Sequence, residues 1–288
     1  MKSQTEQDFT TEIENLQKSF KKRQFRIRQL NDGSEFPELE IVVPDSWPYV
    51  IVAPFFDAHL GSKEHDGNLF QRHLTWVAKT PYVISFNGGD AFDNLTPQQA
   101  VKMGQNPISP EEQLWLATET FAKIQHKMAF SLMGNHEFRS ARASGIDSAK
   151  QLAANLKLPY FADYAFVTVR WRGNNFRMLV HHGAGGGTTA GAQRNAARKD
   201  MSWTKADIIW TGHLHKAMAD CVFSVDYDHA GRAFERSSLV LISPAYLKYF
   251  GGYGAAKRMA PDSRGLTAVT LNSDGRMDVT LHARGKRT

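Results

Sequence analysis

Cysteine is almost missing: Cys221 is the only one in 288 residues. That excludes an intrachain disulfide and any metal site built on thiolates. No apolar run approaches the roughly 20 residues that span a bilayer. The opening stretch from Met1 to Asp8 has no apolar signal region. A cytoplasmic, reducing location without a membrane partner is therefore expected. No internal repeat is present. The glycine-rich stretch 183–189 lacks the Lys-Ser/Thr pair of a nucleotide-binding P-loop. Charge is not strongly biased. The net value is +6 with a pI near 9.3, and at this length one large domain, or a domain with an arm, can bury a full core.

What the chain does have is five short motifs in order. They are Asp57-Ala58-His59, Gly89-Asp90-Ala91-Phe92-Asp93, Gly134-Asn135-His136-Glu137, His181-His182-Gly183 and Gly212-His213-Leu214-His215. Four follow apolar runs that read as buried strands, at 50–54, 82–86, 178–180 and 208–210. The third follows 128–133, which mixes helix end and strand. Side chains at the ends of parallel strands converge on one crevice. Together the motifs offer carboxylate, amide and imidazole donors and no thiolate. A hydrolytic dimetal centre needs such a set, because hard dications take oxygen and imidazole ligands. Two metals sharing one carboxylate can hold a bridging hydroxide that attacks phosphorus in line. Each motif alone is weak evidence; the five in order are strong.

On these residues the chain, over roughly 50–215, resembles the calcineurin-like metallophosphoesterases, whose pattern is D-x-H, G-D-x-x-D, G-N-H-[DE], H and G-H-x-H. The resemblance implies two packed mixed β-sheets flanked by helices, a four-layer α/β sandwich. It puts Asp57, His59 and His215 on one metal, Asp90 between both, and Asn135, His181 and His213 on the other. His136 faces the substrate phosphate and leaving group, and Asp93 holds its imidazole. The implied cofactors are two divalent ions, Mn2+ first, with Fe or Zn2+ as alternatives. His181 and His182 are adjacent on a strand end, so they point to opposite sides and only one can be a ligand; the family pattern favours His181, leaving His182 to face the substrate. Asp93 is followed by Asn94-Leu95, not by the Arg-Gly of serine/threonine protein phosphatases. The size and the glycine-rich loop suit a compact phage-type or bacterial member.

The expected activity is a phosphoester hydrolase, with a phosphodiester of nucleic acid or a nucleotide as first choice. A small-molecule phosphomonoesterase is the alternative within the class; a catalytically silent scaffold subunit is the alternative outside it. The choice rests on basic stretches, since polyanions favour such surfaces. Lys18, Lys21, Lys22, Arg23, Arg26 and Arg28 form an acid-free run; Arg194, Arg198 and Lys199 follow the glycine loop; Arg284, Lys286 and Arg287 lie in the tail. An ordinary solvated face is the competing reading. Arg139 and Arg142 are candidate phosphate clamps, as are backbone groups at Gly185 and Gly186. Tyr246, Tyr249, Phe250 and Tyr253 offer rings for base stacking, though core or rim is their commoner role. His65, His73, His126, His229 and His282 fall in no motif.

Along the chain, residues 8–30 read as one helix with Phe9, Ile13, Leu16 and Phe20 at helical spacing. Residues 1–36 form an N-terminal helical arm, with a turn at 31–34. The main domain covers 37–288, interrupted by a helical insert at 94–128. Ser109-Pro110-Glu111-Glu112 is a helix start. A second helix opens at Asp147 and a third lies near 190–201. Strands are expected at 39–43, 165–171, 176–180, 239–242, 266–271 and 277–282, with turns at 172–175 and 272–275.

Overall fold

The computed structural model describes residues 4–30, 36–94, 108–185, 189–250 and 263–283, with side chains described within 10–281. The expected turn at 31–34, Gly186, Tyr253 and the basic tail lie outside these residues, as do the side chains of Phe9 and His282.

The chain builds two sheets. Strands β1 (Arg26–Leu30), β2 (Glu38–Val42), β7 (Tyr164–Trp171), β8 (Asn174–His181), β9 (Ile208–Thr211), β10 (Met218–Tyr227) and β11 (Ala233–Ile242) form one, in the order β1-β2-β7-β8-β9-β11-β10. Strands β3 (Val50–Val52), β4 (Val83–Asn87), β5 (Met128–Leu132), β6 (Tyr160–Phe161), β12 (Gly265–Leu271) and β13 (Met277–Ala283) form the other, in the order β13-β12-β3-β4-β5-β6. Both are mixed, as expected. In the six-stranded sheet β3, β4 and β5 run parallel. In the seven-stranded sheet β8, β9 and β11 do.

The layers follow from alternation. In β7, Ala165, Val167, Val169 and Trp171 are buried and the residues between them are not. These buried side chains meet Phe86, Phe130 and Trp210 in a core between the two sheets. On the far side of the six-stranded sheet, helices α2 (Gly67–Lys79), α3 (Pro110–Ala122) and α5 (Ser148–Asn155) bury Leu74, Phe121 and Leu152 with Phe55 and Tyr246. On the far side of the other sheet, α6 (Ala190–Arg198) places Ala197 over Leu179, Ile209 and Val240. Each fully buried large side chain contributes about 1.5–3 kcal/mol, and the helix–sheet–sheet–helix order is the expected sandwich. Among the described residues no helix is long and apolar enough to cross a membrane.

Local signals hold where capping is explicit. Ser109 accepts from the Glu112 N–H and Glu112 returns the bond to the Ser109 N–H, starting α3. Asp147 caps α5 by accepting from the Lys150 N–H. An additional helix, α4 (Asn135–Ser144), begins within the third motif.

Residues 8–30 are not one helix. Helix α1 (Gln4–Lys18) ends at Lys18, and Arg26–Leu30 is strand β1, antiparallel to β2. The boundary near residue 36 therefore cuts through a sheet. Ile13 and Phe25 are buried, and Gln17 donates to the Asn155 carbonyl, so this segment is tied to the main body. The β10 strand and the first half of β11 were not expected either. Strand β10 pairs antiparallel with the whole of β11 over ten residues, and the part of β11 before Leu239 extends past β9.

Candidate metal centre

The motifs sit where β3, β4 and β5 of one sheet and β8 and β9 of the other run out at a shared edge. The chain past β3 keeps pairing with the chain past β4. The N–H groups of Asp57, His59 and Leu60 donate to the carbonyls of Gly89, Asp90 and Ala91 at 3.1, 2.9 and 2.8 Å. Across the gap between sheets, the His213 N–H donates to Asp57 Oδ2 at 2.9 Å. This close meeting excludes side chains at two positions. A Cβ on Gly134 would lie 2.1 Å from both the nitrogen and Oδ1 of Asp90, and one on Gly212 would lie 2.5 Å from Asp57 Oδ2. Five of the donor-bearing residues themselves take left-handed backbone: Asp57, His59, Asp90, His213 and His215 have φ of 50, 45, 51, 63 and 56°. Non-glycine residues rarely adopt this conformation, and it gathers at functional sites.

Two donor sets result. In the first, Asp57 Oδ1 lies 3.2 Å from His215 Nε2 and 3.9 Å from His59 Nε2, and the two imidazole nitrogens are 3.4 Å apart. In the second, Asp90 Oδ2 lies 3.2 Å from His182 Nε2. The Asn135 amide atom assigned as Oδ1 lies 3.0 Å from His182 Nε2 and 2.6 Å from His213 Nδ1. Asp90 Oδ2 is also 3.8 Å from His59 Nε2, so it stands between the sets.

Both sets fit cations. Asp57 Oδ1 is fully buried and makes no hydrogen bond, although three imidazoles surround it. Buried carboxylate oxygens are ordinarily satisfied. The Asn135 amide atom is also 3.2 Å from Asp90 Oδ2. An NH2 group there would donate to its three neighbours. An oxygen there is stable only with positive charge among them.

The second set corrects the expectation for the histidine pair. His182, not His181, joins Asp90, Asn135 and His213. Its Nδ1 faces the Gly88 carbonyl at 3.0 Å, which accepts its proton and leaves Nε2 to the cluster. His181 points to the opposite face, where its Nε2 lies 2.7 Å from Asp200 Oδ2. The signal was in the alternation: Phe176, Met178 and Val180 face the core between the sheets, and His182 continues their parity.

Imidazoles and carboxylates of the two sets shift one another. Burial alone would depress His182, but Asp90 and then Asp57 outweigh it and raise it to about 10. His59 likewise rises to about 9 against burial, chiefly through Asp93 and Asp90. Burial would raise Asp57, yet His215 and His182 hold it below the usual range. Asp90 is held well below that range against burial, chiefly by His182 and then His136. Each carboxylate thus favours the charged form of the imidazoles beside it, and they favour its own. A dication binding there displaces protons.

His136 lies beside both sets, with Nε2 3.8 Å from Asp90 Oδ2. The group that holds its ring is the Asp93 carbonyl, 2.6 Å from Nδ1; the Asp93 carboxylate is 3.6 Å away. Burial lowers His136 to about 4, with Asp90 opposing. Glu137 has a role that sequence reasoning missed. Fully buried, its carboxylate accepts from the N–H groups of Gly134, Asp90 and Phe92 at 2.9, 3.1 and 3.2 Å. It thereby ties the second motif to the third. Burial and then Asp90 raise it to about 7.

Of the candidate substrate contacts, Arg139 stays near the cluster, its Nε donating to the Asn135 carbonyl at 3.2 Å. Arg142 is exposed and lies over the Phe138 ring. The Gly185 carbonyl is 2.9 Å from His213 Nε2. Tyr246 is not a stacking surface: it is 1% exposed, packs on Phe55 and Phe70, and its hydroxyl meets His73 Nδ1 at 3.1 Å. Arg194 and Arg198 both pair with Asp220, which reduces the free charge of that face.

No protein-family model matches the sequence, and no curated protein matches it. Solved structures do. One is a conserved uncharacterized protein from Streptococcus pneumoniae, described as a predicted phosphoesterase, with 13% identity, 83% of this chain and 100% of that chain covered, and a TM-score of 0.33. Another is a Thermotoga maritima protein solved by NMR, with 13% identity, coverage of 80% and 98%, and a TM-score of 0.32. A third is a serine/threonine phosphatase from Saccharomyces cerevisiae, with 11% identity, coverage of 86% and 84%, and a TM-score of 0.34.

Proposed function

We propose that this chain is a phosphoester hydrolase that works with two divalent cations, Mn2+ foremost, and that it cleaves phosphodiesters of nucleic acid. The observation that carries the reading is the two donor sets, Asp57, His59 and His215 in one and Asp90, His182 and His213 in the other, with Asp90 standing between them and Asp57 Oδ1 left without a hydrogen bond. Asp57, His59, Asp90 and His215 would hold one ion, and Asp90, Asn135, His182 and His213 the other. Two such ions supply a nucleophile at neutral pH and neutralise phosphoryl oxygens. The chain's own contribution is placement. Asp93 accepts the Nδ1 proton of His136, so Nε2 is fixed toward the cluster. A phosphate anion beside Nε2 favours its protonated form, from which the leaving oxygen can take a proton. The N-terminus of α4 and Arg139 add positive potential on the same side. The exposed, lone Cys221 fits a reducing, cytoplasmic compartment.

A scaffold that had lost catalysis would not need both donor sets intact. The choice of diester over monoester rests on the basic stretches of the chain, among them Arg26 and Arg28 on β1. The test is hydrolysis after Mn2+ loading, comparing bis(4-nitrophenyl) phosphate, 4-nitrophenyl phosphate and a single-stranded oligonucleotide, with Asp90→Asn as control. The diester and the oligonucleotide should be cleaved, and the control should be inactive. Turnover of the monoester alone replaces the diester reading. No turnover of any of the three by protein shown to hold two metals refutes the enzyme reading.

A further inference from the structure

We propose that the outer face of β1, β2, β7 and β8 is a docking track for single-stranded nucleic acid that leads to the metal centre. Among the described α-helices only α6 lies on this side of the sheet. It packs over Leu179 of β8, Ile209 and Val240, so β1, β2, the Arg170 end of β7 and the Asn175–Arg177 end of β8 have no described helix over them. Pairing and alternation define what it displays. Arg26, Val42, Arg170 and Asn175 are successive cross-strand partners and form one row; Arg28, Glu40, Thr168 and Arg177 form the next. Arg172, on the adjoining turn, lies with Arg26, Arg170 and Asn175 along a groove of about 480 Å³. Five arginines therefore face three carboxylates, Glu38, Glu40 and Asp45, the last lining the same groove and accepting from the Arg172 N–H. Arg28 and Arg170 share Glu40. Among the described residues, neither the Arg26 nor the Arg177 guanidinium forms an ion pair, although the Arg177 backbone N–H donates to Asp207 Oδ2 at 2.8 Å. Surplus guanidinium charge on an open face suits a phosphate backbone.

Toward the metal centre the same face becomes aromatic. Phe36 packs edge-on to Phe166 at 5.6 Å, and Trp203 lies 6.3 Å from Phe166 and 5.9 Å from Tyr164. These rings remain open to solvent: Phe36 is 59%, Trp203 50% and Tyr164 39% exposed. Tyr164 pairs across the strands with His181, the residue before the metal-facing His182. From Asn175 to His181 the track spans roughly 20 Å at about 3.3 Å per residue. Arginines that hold a backbone, followed by rings on which unpaired bases stack, are how a sheet binds single strands. A duplex keeps its bases stacked internally and cannot use the rings.

The proposal rests on the nucleic-acid reading for its purpose, but binding can be measured apart from turnover. The probe is a labelled single-stranded oligonucleotide, followed by fluorescence anisotropy with the full chain in EDTA across a salt series. Arg26→Gln combined with Arg177→Gln should flatten the slope of log K against log salt by about 1.4, at about 0.7 per lost contact. Phe36→Ala should weaken binding at least about fivefold with the slope unchanged. Both variants should melt as the parent does and cleave bis(4-nitrophenyl) phosphate at the parent rate. Affinity and slope that do not respond to either change overturn the track, as does failure of the parent to bind at low salt. Equal binding of a duplex, together with a silent Phe36→Ala, overturns the single-strand assignment. A parent that binds through these residues but cleaves nothing leaves the track standing and removes the hydrolase reading instead.

Discussion

Replacing the two adjacent histidines one at a time separates a ligand from a neighbour. His181→Ala deletes the 2.7 Å contact with Asp200, which keeps its bond from Trp203 Nε1. Losing one hydrogen bond to a charged group costs about 1.5–3 kcal/mol, a drop of several degrees in melting temperature for a chain of this size. That cost should be the same with and without metal, and two ions per chain should remain. His182→Ala acts differently. It removes one donor of the second set and the proton link to the Gly88 carbonyl. Changes merely behind a ligand cost about 10–100-fold in metal affinity, so loss of the ligand itself should cost at least a hundredfold. With metal at 100 times its Kd, one site stabilises the fold by about 2.7 kcal/mol; a hundredfold weaker site contributes only about 0.4 kcal/mol. Melting curves with EDTA and with Mn2+, together with metal analysis, read both effects. His182→Ala should retain one tightly held ion and lose a little under half of the Mn2+-dependent rise, about 2.3 of about 5.4 kcal/mol for two sites. If His181→Ala loses that share of the rise and His182→Ala keeps it, the assignment of the second donor set is wrong.

Glu137→Ala should be among the most damaging single changes, because three buried N–H groups lose a charged acceptor. At about 1.5–3 kcal/mol each, the loss approaches the whole stability of an ordinary domain. Glu137→Gln can keep the Asp90 and Gly134 donors on one oxygen and should cost about a third as much; equal urea midpoints for the two variants would contradict this account. Asp220 supplies a pH prediction. The hydrogen bond from Arg194, followed by Arg198 and opposed by burial, holds its carboxyl down at about 2, below its unfolded value of about 3.9. Its stabilisation is therefore fully present above about pH 4 and lost as pH falls toward 2. The stability gap between parent and Asp220→Asn should be constant from pH 5 to 7, close between pH 4 and 2, and shrink in high salt because both guanidiniums are substantially exposed. A gap that widens on acidification would mean the Arg194–Asp220–Arg198 cluster does not stabilise the fold.

Much of the fold was legible because its cues are local. Apolar runs ending in glycine or a charged residue marked the strands that carry the motifs, and the Ser109–Glu112 box marked α3. What was not legible depends on partners distant in sequence. Phe9, Ile13, Leu16 and Phe20 fit a helical period read as far as residue 30, yet Arg26–Leu30 is a strand because β2 offers it an antiparallel partner. Packing context overrides propensity in such segments. The β10 edge was hidden because Met218–Tyr227 is mostly exposed and carries no strong alternation of polarity. The histidine pair is a different case. Arg177 outside and Phe176, Met178 and Val180 inside fix the parity of β8, and extending it by one step selects His182. The motif pattern, applied without that parity, selected its neighbour.

The backbone of the site is the part a motif cannot spell. Nothing in Asp-x-His states that both residues lie at positive φ, yet Asp57, His59, Asp90, His213 and His215 all do. Such conformations persist only where the surroundings over-determine them. Here the surroundings are specific. The hydrogen bonds from Asp57 and His59 to Gly89 and Asp90 lock the first two motifs together. Glu137 ties the second to the third, and the His213 N–H on Asp57 closes the gap between the sheets. Gly134 and Gly212 matter for the same reason, since a Cβ at either would separate motifs that must touch. With the donors held this way, little reorganisation remains to be done when a cation enters. The energetic cost has already been met in folding, by a backbone that five residues hold in an unfavourable conformation. The sequence shows which groups can bind; the crossed backbone bonds between motifs determine that they converge.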